Sequence, residues 1–416
     1  ESIPSAIQYD GCAEIDWTPQ NFVLGSMGGA YNYQEILDEL ARMQQLYPNI
    51  ISVVKDASPT NQKTHGYTGT NPDIEPQTMW YVKISDNPDM DEAGEPQSLI
   101  TGAAHAREVS SVMNIIYYMW YILESYDSDP LIKSMIDHQE LYFIPVINPD
   151  GYIYNGIQAP NGGGDQRKNL RPGTGNGLWS KGVDLNRNSP YYWGIDDSGS
   201  SPSVTAGTYR GPTPGSEPET QIIADFIQTK DIKLAVNHHS GLNSIVTSSY
   251  NGSTSAAPSG REDEFQELMQ NVTHYNRYIH GSAPNTLYEA NGDFNDWMLG
   301  GPPVTTNPSG GGTYTNSGSG KNIIAFTPEN GDEFAPDPSH IVSIAKRALR
   351  MNLITSLSAG KYAQLHDFTN TDITPSNQTL NFAVEYIGQT LDDLTRTVTP
   401  VSSNIASITP LSATAL

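Results

Sequence analysis

Two apolar runs joined by a short polar corner constrain this chain more than any other feature. Ser98 to Gly102 reads as a buried strand, and Val112 to Leu123 as an apolar helix. Between them lies Thr101 to Ser111, TGAAHAREVSS. A strand that turns a corner into a helix is the repeating unit of α/β folds, and the rest of the chain continues the alternation. Tyr33 to Leu46 is a helix, with Ile36, Leu37, Leu40, Met43 and Tyr47 at helical spacing and Pro48 as its stop. Ile50–Val54, Met79–Ile84, Leu141–Ile147, Ile232–Val236 and Ile323–Phe326 read as strands. Thr220–Ile227, Phe265–Tyr278 and Ile341–Leu357 read as helices. The predicted fold class is α/β, with a mixed, largely parallel central sheet flanked by helices. In such sheets ligands bind at the carboxyl ends of the strands. The long Asn148–Trp193 loop falls there.

The texture changes after about Ala359. Residues Asp367 to Leu416 lack a helical period and are rich in Thr, Ser, Ile and Val, and Leu380 to Tyr386 alternates like a strand. The expected division is an N-terminal extension over 1–30, a main domain over 31–360 and a small C-terminal β appendage over 361–416.

Charge narrows the partners. The formal net charge is −24, so nucleic acid, which needs a basic face, is not expected. No apolar run is long enough to span a membrane, so a membrane partner is not expected either. The single cysteine, Cys12, cannot form an internal disulfide and reads as structural. A composition rich in Ser, Thr, Asn and Gly and poor in Lys is common in exported proteins, so a secreted or periplasmic location is expected. The first residue, Glu1, leads to the expectation of a removed leading segment.

Within the corner, His105 and Glu108 are three residues apart, so imidazole and carboxylate can approach one ion from the same side. With a distant third histidine they would form the three-ligand, one-water zinc site that hydrolases use. Other motifs follow in order: Asn148-Pro149-Asp150-Gly151-Tyr152, read as a turn; Gln166-Arg167-Lys168; and Gly182-Val183-Asp184-Leu185-Asn186-Arg187-Asn188. Asn186 and Arg187 side by side suit a carboxylate, because guanidinium offers a bidentate fork and the amide adds a donor. Asp184 is placed to orient a ligand imidazole. Tyr209-Arg210-Gly211-Pro212 and Ser216-Glu217-Pro218-Glu219-Thr220 read as a loop and a helix cap. His238-His239-Ser240 ends a strand, Tyr288 to Trp297 is a glycine-containing loop, and Glu329 sits at a buried strand end, where a carboxylate needs a partner or a task.

In this order, over roughly Tyr33 to Leu357, the motifs resemble the zinc metallocarboxypeptidase family that includes the pancreatic carboxypeptidases A and B. The resemblance implies one Zn2+ per chain, held by His105, Glu108 and His239. It gives the zinc to the histidine directly before the serine, with His238 facing the other way. It implies that Arg167 polarises the scissile carbonyl, that Asn186 and Arg187 grip the substrate's terminal carboxylate, that Tyr288 closes over the substrate, that Glu329 is general base and acid, and that Arg107 serves the outer subsites. The implied function is a zinc-dependent exopeptidase, a hydrolase that removes C-terminal residues from peptides or proteins, as a monomer. A related zinc amidase acting on peptidoglycan stem peptides or N-acyl amino acids shares the H-x-x-E and histidine site, and a catalytically dead binding module is the third reading.

Two positions depart from the pancreatic enzymes. Seven residues after Tyr288, at the pocket floor, stands Asn295, neither apolar nor acidic, and Asp293 stands two before it. If that stretch is extended, both side chains face the pocket. The expected preference is then broad, for apolar and basic C-terminal residues, with poor use of Asp and Glu. Pro328 also differs, and the residues before Tyr33 are expected to be too few for a pro-domain.

Overall fold

The structure, a computed structural model, describes residues 18–69, 71–177, 180–242, 245–248, 252–367 and 382–390. Helix α1 (Tyr33–Leu46) is followed by strands β1 (Lys55–Asp56), β2 (Trp80–Ile84) and β3 (Gln97–Thr101). Helices α2 (Val109–Ser125) and α3 (Pro130–Ile136) lead to β4 (Glu140–Ile144) and α4 (Pro149–Gln158). A 3-10 turn at Leu185–Arg187 and α5 (Pro218–Gln228) precede β5 (Ile232–Asn237), β6 (His239–Ser240) and β7 (Ile245–Ser248). Then come α6 (Glu262–Thr273), β8 (Ile279–Ser282), α7 (Ala283–Thr286), α8 (Phe294–Leu299), β9 (Val304–Thr306), β10 (Tyr314–Asn316), β11 (Ile324–Asn330) and α9 (Pro338–Ala359). A two-stranded antiparallel sheet, β12 (Ala363–Asp367) with β13 (Phe382–Tyr386), lies near the C-terminus.

The main sheet runs β1-β2-β4-β3-β5-β11-β7-β8, with β6 paired to β11. Its middle is parallel: β3 with β4 and β5, and β11 with β5 and β6. Antiparallel pairs, β1–β2, β2–β4 and β11–β7, make the sheet mixed. Strands β3, β4 and β11 are buried at every position, as expected for strands covered on both faces. The sheet separates two cores. One packs α1, α2 and α9 with Phe22, Met27 and Tyr31; the other packs Ile222, Ile223, Phe226, Phe294 and Met298 of α5 and α8. Burying each such apolar side chain stabilises the fold by roughly 1.5–3 kcal/mol. Helix α2 is buried along almost its whole length, and the Tyr118 hydroxyl donates to Ser356 Oγ of α9 at 2.8 Å.

Four local expectations are corrected. The Asn148–Trp193 segment begins as helix α4, because Asn148 accepts from Gly151 N at 3.0 Å and Pro149 takes the first turn, where no N–H is needed. Ile50–Val54 is not a strand: Ile51 only bridges Ile84, and the ladder with β2 forms at Lys55–Asp56. The Phe265–Tyr278 helix ends at Thr273, before β8. The Tyr288–Trp297 stretch is not extended throughout, because Asp293 caps α8 by accepting from Asp296 N at 2.7 Å. The expected strand at Leu380 is described only from Phe382, and Cys12 lies outside the described residues.

Candidate active site

The carboxyl ends of β3, β5 and β11 meet at one point. β3 delivers the corner that carries His105 and Glu108. His239 follows β5, and it pairs in register with Glu329 of β11. Local hydrogen bonds shape the corner. Ser111 Oγ accepts from Ala103 N at 3.0 Å and donates to Glu108 O at 2.6 Å. Ala106 N donates to Arg167 O at 3.0 Å, and Asn148 Nδ2 reaches Ala104 O and Arg167 O, each at 3.4 Å. Asn148 therefore caps α4 and also ties the histidine corner to the loop that carries Arg167.

Nδ1 of His105 lies 2.8 Å from Glu108 Oε1, Nδ1 of His239 lies 2.8 Å from Glu108 Oε2, and the two Nδ1 atoms are 2.9 Å apart. All three residues are buried. Nε2 of His105 faces Asp184 Oδ1 at 3.0 Å. A ring that donates from Nε2 carries a lone pair at Nδ1, and that lone pair points at a carboxylate oxygen. Acceptor facing acceptor is unfavourable unless a cation lies between them. Two imidazole nitrogens and one carboxylate, with an outer carboxylate orienting one ring, are the donor set of a three-ligand catalytic zinc site. The residues therefore fit zinc. His238 turns to the opposite side, 2.9 Å from Asn352 Oδ1 and 3.0 Å from Asn330 Nδ2. Among the described residues, the other group of acids close enough to share a cation, Asp86, Glu92 and Glu95, lies on the loop entering β3, at the opposite end of that strand from His105.

Asp184 joins the metal ligands to the substrate-facing residues. Its Oδ1 also accepts from Asn186 N at 3.0 Å, and its Oδ2 accepts from Arg167 at 2.9 Å. Burial alone would push the Asp184 carboxyl up, but Arg167, His105 and Arg187 outweigh it and hold it well below the usual range. Arg167 also comes within 3.6 Å of Glu108 Oε1. Gly182 lets this segment approach: a Cβ there would lie 1.7 Å from Asn169 O, and its φ is +80°.

The cleft is lined by His105, Asn186, Arg187, His239, Ala283, Leu287, Tyr288, Ala290, Asp293, Asn295, Thr327 and Glu329. Asn186 Oδ1 accepts from Phe294 N at 3.3 Å, so its amide N–H groups are the donors left for the cleft. Arg187 Nε and Glu329 Oε2 are buried and lack a hydrogen-bond partner among the described residues. Unpaired buried groups of this kind are costly unless a ligand completes them. Burial, and then the Glu108 carboxylate, push the Glu329 carboxyl well above its ordinary value. Tyr288 is 41 % exposed at the rim, its ring 5.9 Å from the Arg187 guanidinium.

At the pocket end, Asn295 accepts from Asn237 Nδ2 at 2.6 Å and donates to Thr327 Oγ1 at 2.9 Å. Asp293 lines the cleft while capping α8. Burial pushes its carboxyl up to about 6, against the backbone N–H of Asp296 and the charge of Arg187. Asp296, buried beside it, is raised well above its ordinary value by burial and by Asp293.

Of the residues singled out in the sequence, the cleft brings together His105, His239, Glu329, Asn186, Arg187, Tyr288, Asn295 and Asp293, with Glu108 directly behind the two histidines. Arg167 reaches the edge of the metal site rather than the cleft lining. Arg107 turns onto the Phe334 ring, 3.9 Å from its centroid. Thr327 and Asn237 escaped sequence reading; the signal was their place two residues before Glu329 and His239, on the same strand faces.

A family model described as zinc carboxypeptidase matches residues 73–351. The chain is 31% identical to metallocarboxypeptidase A of Trichophyton rubrum over 214 residues, which is 49% of this chain and 49% of that protein. The match thus spans about half the length of that curated relative. In fold it is similar to the crystal structure of thrombin activatable fibrinolysis inhibitor, with a TM-score of 0.61, 21% identity and coverage of 85% of this chain and 80% of that one. It is similar also to carboxypeptidase A from Helicoverpa armigera, with a TM-score of 0.60, 21% identity and coverage of 80% and 74%.

Proposed function

The chain belongs to the zinc carboxypeptidase family, and on that premise we propose that it is a metallocarboxypeptidase, a zinc-dependent exopeptidase hydrolysing the last peptide bond of peptides or proteins. The observation that carries this reading is the meeting, in one cleft, of the histidine and carboxylate donor set with Asn186, Arg187 and the buried Glu329.

His105, Glu108 and His239 would hold the zinc, which when bound would supply a Lewis acid that makes water acidic enough to react near neutral pH. The terminal carboxylate docks on Arg187 and the Asn186 amide, satisfying a guanidinium nitrogen that has no partner among the described residues. That contact fixes the scissile bond at one distance from the metal ligands, which restricts cleavage to the chain end. Glu329 takes a proton from the attacking water and returns one to the departing amine, a task suited to a carboxyl with a raised pKa. Arg167, neutralised on one side by Asp184, offers its remaining donors to the developing oxyanion. Tyr288 covers the bound residue, and Arg107 serves residues further from the cut.

The last side chain enters between Leu287, Ala290, Asp293 and Asn295. Its preference is broad: apolar residues against Leu287 and Ala290, and Lys or Arg toward Asp293, with Asp and Glu poorly used. The same proposal takes 31–360 as the catalytic domain, 1–30 as an extension and 361–416 as a β-rich appendage. It also makes the protein a secreted or periplasmic monomer without nucleic-acid or membrane partners. A net charge of −24 speaks against a nucleic-acid partner, and among the described residues no helix is long and apolar enough to cross a membrane.

The test is metal analysis with a peptide panel. We expect one zinc per chain, release of C-terminal residues one at a time, loss of activity with chelator and recovery with zinc. Internal cleavage, or activity indifferent to chelator, would contradict the reading. Blocked dipeptides set against peptidoglycan fragments separate it from the related amidase chemistry.

A further inference from the structure

The Tyr209-Arg210-Gly211-Pro212 motif has no place in the chemistry above, yet Arg210 is one of the largest fully buried side chains, 1% exposed. Its guanidinium is spent mainly on the 196–200 loop, with one further bond to Ser309. Nη1 donates to Asp196 O and Ser200 O at 3.2 Å each and to Ser200 Oγ at 3.1 Å. Nη2 donates to Asp197 Oδ1 at 2.7 Å and to Ser309 O at 3.2 Å. That loop in turn holds Asn291, which is fully buried. Ser200 Oγ donates to Asn291 Oδ1 at 2.5 Å, and Asn291 Nδ2 donates to Asp196 Oδ1 at 2.9 Å. Asn291 N donates to Gly199 O at 3.3 Å, and Ala290 N to Gly252 O at 2.5 Å. One residue on, Gly292 has φ +69°, and a Cβ there would lie 2.6 Å from Arg187 O. The chain after Tyr288 is thus clamped at three consecutive residues.

Before Tyr288 the restraint is light. Helix α7 has four residues, and Leu287 N donates to Ala283 O at 2.9 Å. Tyr288 and Glu289 are the span between a short helix and a firm anchor, and among the described residues the Glu289 carboxylate is held by exposed Thr254.

We infer that Arg210 is a positioning residue for Tyr288: through Ser200 and Asp196 it fixes Asn291, and Asn291 fixes the backbone from which the tyrosine closes over the substrate. The inference rests on the peptidase reading, in which Tyr288 covers the bound C-terminal residue. A loosened anchor would let Tyr288 sample more positions, weakening the hold on substrate without altering the metal ligands or Glu329.

The test is a double-mutant cycle on the zinc-loaded enzyme, with Arg210→Lys and Asn291→Ala each made alone and with Tyr288→Ala. Zinc content and thermal unfolding are checked in every variant, and Arg210→Lys keeps the charge in case larger changes disturb folding. Each single variant should raise KM about tenfold with kcat nearly unchanged, and the same change should shift KM less than about twofold once Tyr288 is gone. An equal KM shift with and without Tyr288, or a fall in kcat alone, would overturn the inference. Hydrogen exchange over residues 283–292 provides a readout without substrate, and it should accelerate in both variants. Unchanged exchange sinks the inference whatever the kinetics. Accelerated exchange in a protein that cleaves no peptide keeps the clamp and rejects the peptidase reading.

Discussion

The metal corner and the pocket wall lie in the same cleft but are built differently. At the corner, His105 and Glu108 follow the end of buried strand β3, His239 follows β5, and several bonds hold them: Glu108 faces both histidines, and Asp184, the cap of the 3-10 turn, binds His105, Asn186 N and Arg167 at once. At the wall, Tyr288, Asp293 and Asn295 come from a loop and a six-residue helix, placed by one cap, a few side-chain bonds and the backbone bonds of Ala290 and Asn291. The comparison teaches that strand ends fix the position of the chemistry, while short caps fix the position of specificity. Damage at the corner should be large and independent of substrate. Damage at the wall should be smaller and depend on which residue is being removed.

The largest effect is expected from Glu329→Gln. It should keep zinc and fold but lower kcat by roughly 10²-fold to 10⁴-fold for every substrate, read by steady-state kinetics with metal analysis. Near-normal turnover would take Glu329 out of the chemistry. Next is Asp184→Asn, which removes one negative charge from between His105 and Arg167. Zinc affinity, measured by chelator competition, should weaken about 10-fold to 100-fold. Unchanged affinity would mean that His105 needs no orienting partner.

The corner was legible in the sequence for the reason it is robust. An apolar strand followed by His-x-x-Glu and an apolar helix admits few geometries, and His239 after a second strand and Glu329 at the end of a third add one ligand and one proton-transfer carboxylate at known places. Even so, Asn148 read as a plain turn, because capping α4 while bridging to Ala104 and Arg167 depends on partners distant in sequence. The wall was half legible. Asn295 and Asp293 both line the cleft, but not for the reason the alternation gave. Asp293 caps a helix, which two-residue periodicity cannot reveal, and Asn295 is tied to Asn237 and Thr327, one on each of two other strands. The Ile50–Val54 segment misled in the same way. Its β-branched residues suit a strand, but only Ile51 finds a bridge partner.

Two smaller effects probe the wall. The Asp293 carboxyl is pushed up to about 6 by burial, so it is largely protonated below that pH and ionised above it, while burial and Asp293 raise Asp296 well above its ordinary value. A raised carboxyl gains negative charge only as pH rises past its pKa. The ratio of kcat/KM for peptides ending in Arg to those ending in Phe should therefore climb several-fold between about pH 5 and pH 7.5. The climb should vanish in Asp293→Ala; a flat ratio in the unaltered protein would remove Asp293 from recognition. The smallest change is expected from Asn295→Ala. Its amide already serves Asn237 and Thr327, so the Arg-to-Phe ratio should move less than about threefold, while stability falls by on the order of 1–3 kcal/mol from the buried partners left unpaired. A large swing in preference would make Asn295 the recognising group instead.

The central claim is that a free C-terminal carboxylate, held by Asn186 and Arg187, sets which bond is cut. The direct measurement is kcat/KM of the zinc-loaded protein on one blocked peptide with a free C-terminus and on the same peptide as its C-terminal amide. Hydrogen bonds to a charged group are each worth about 1.5–3 kcal/mol, so the amide should be cleaved on the order of 10²-fold more slowly, and Arg187→Ala should erase most of that difference. Equal cleavage of the two peptides would contradict the account.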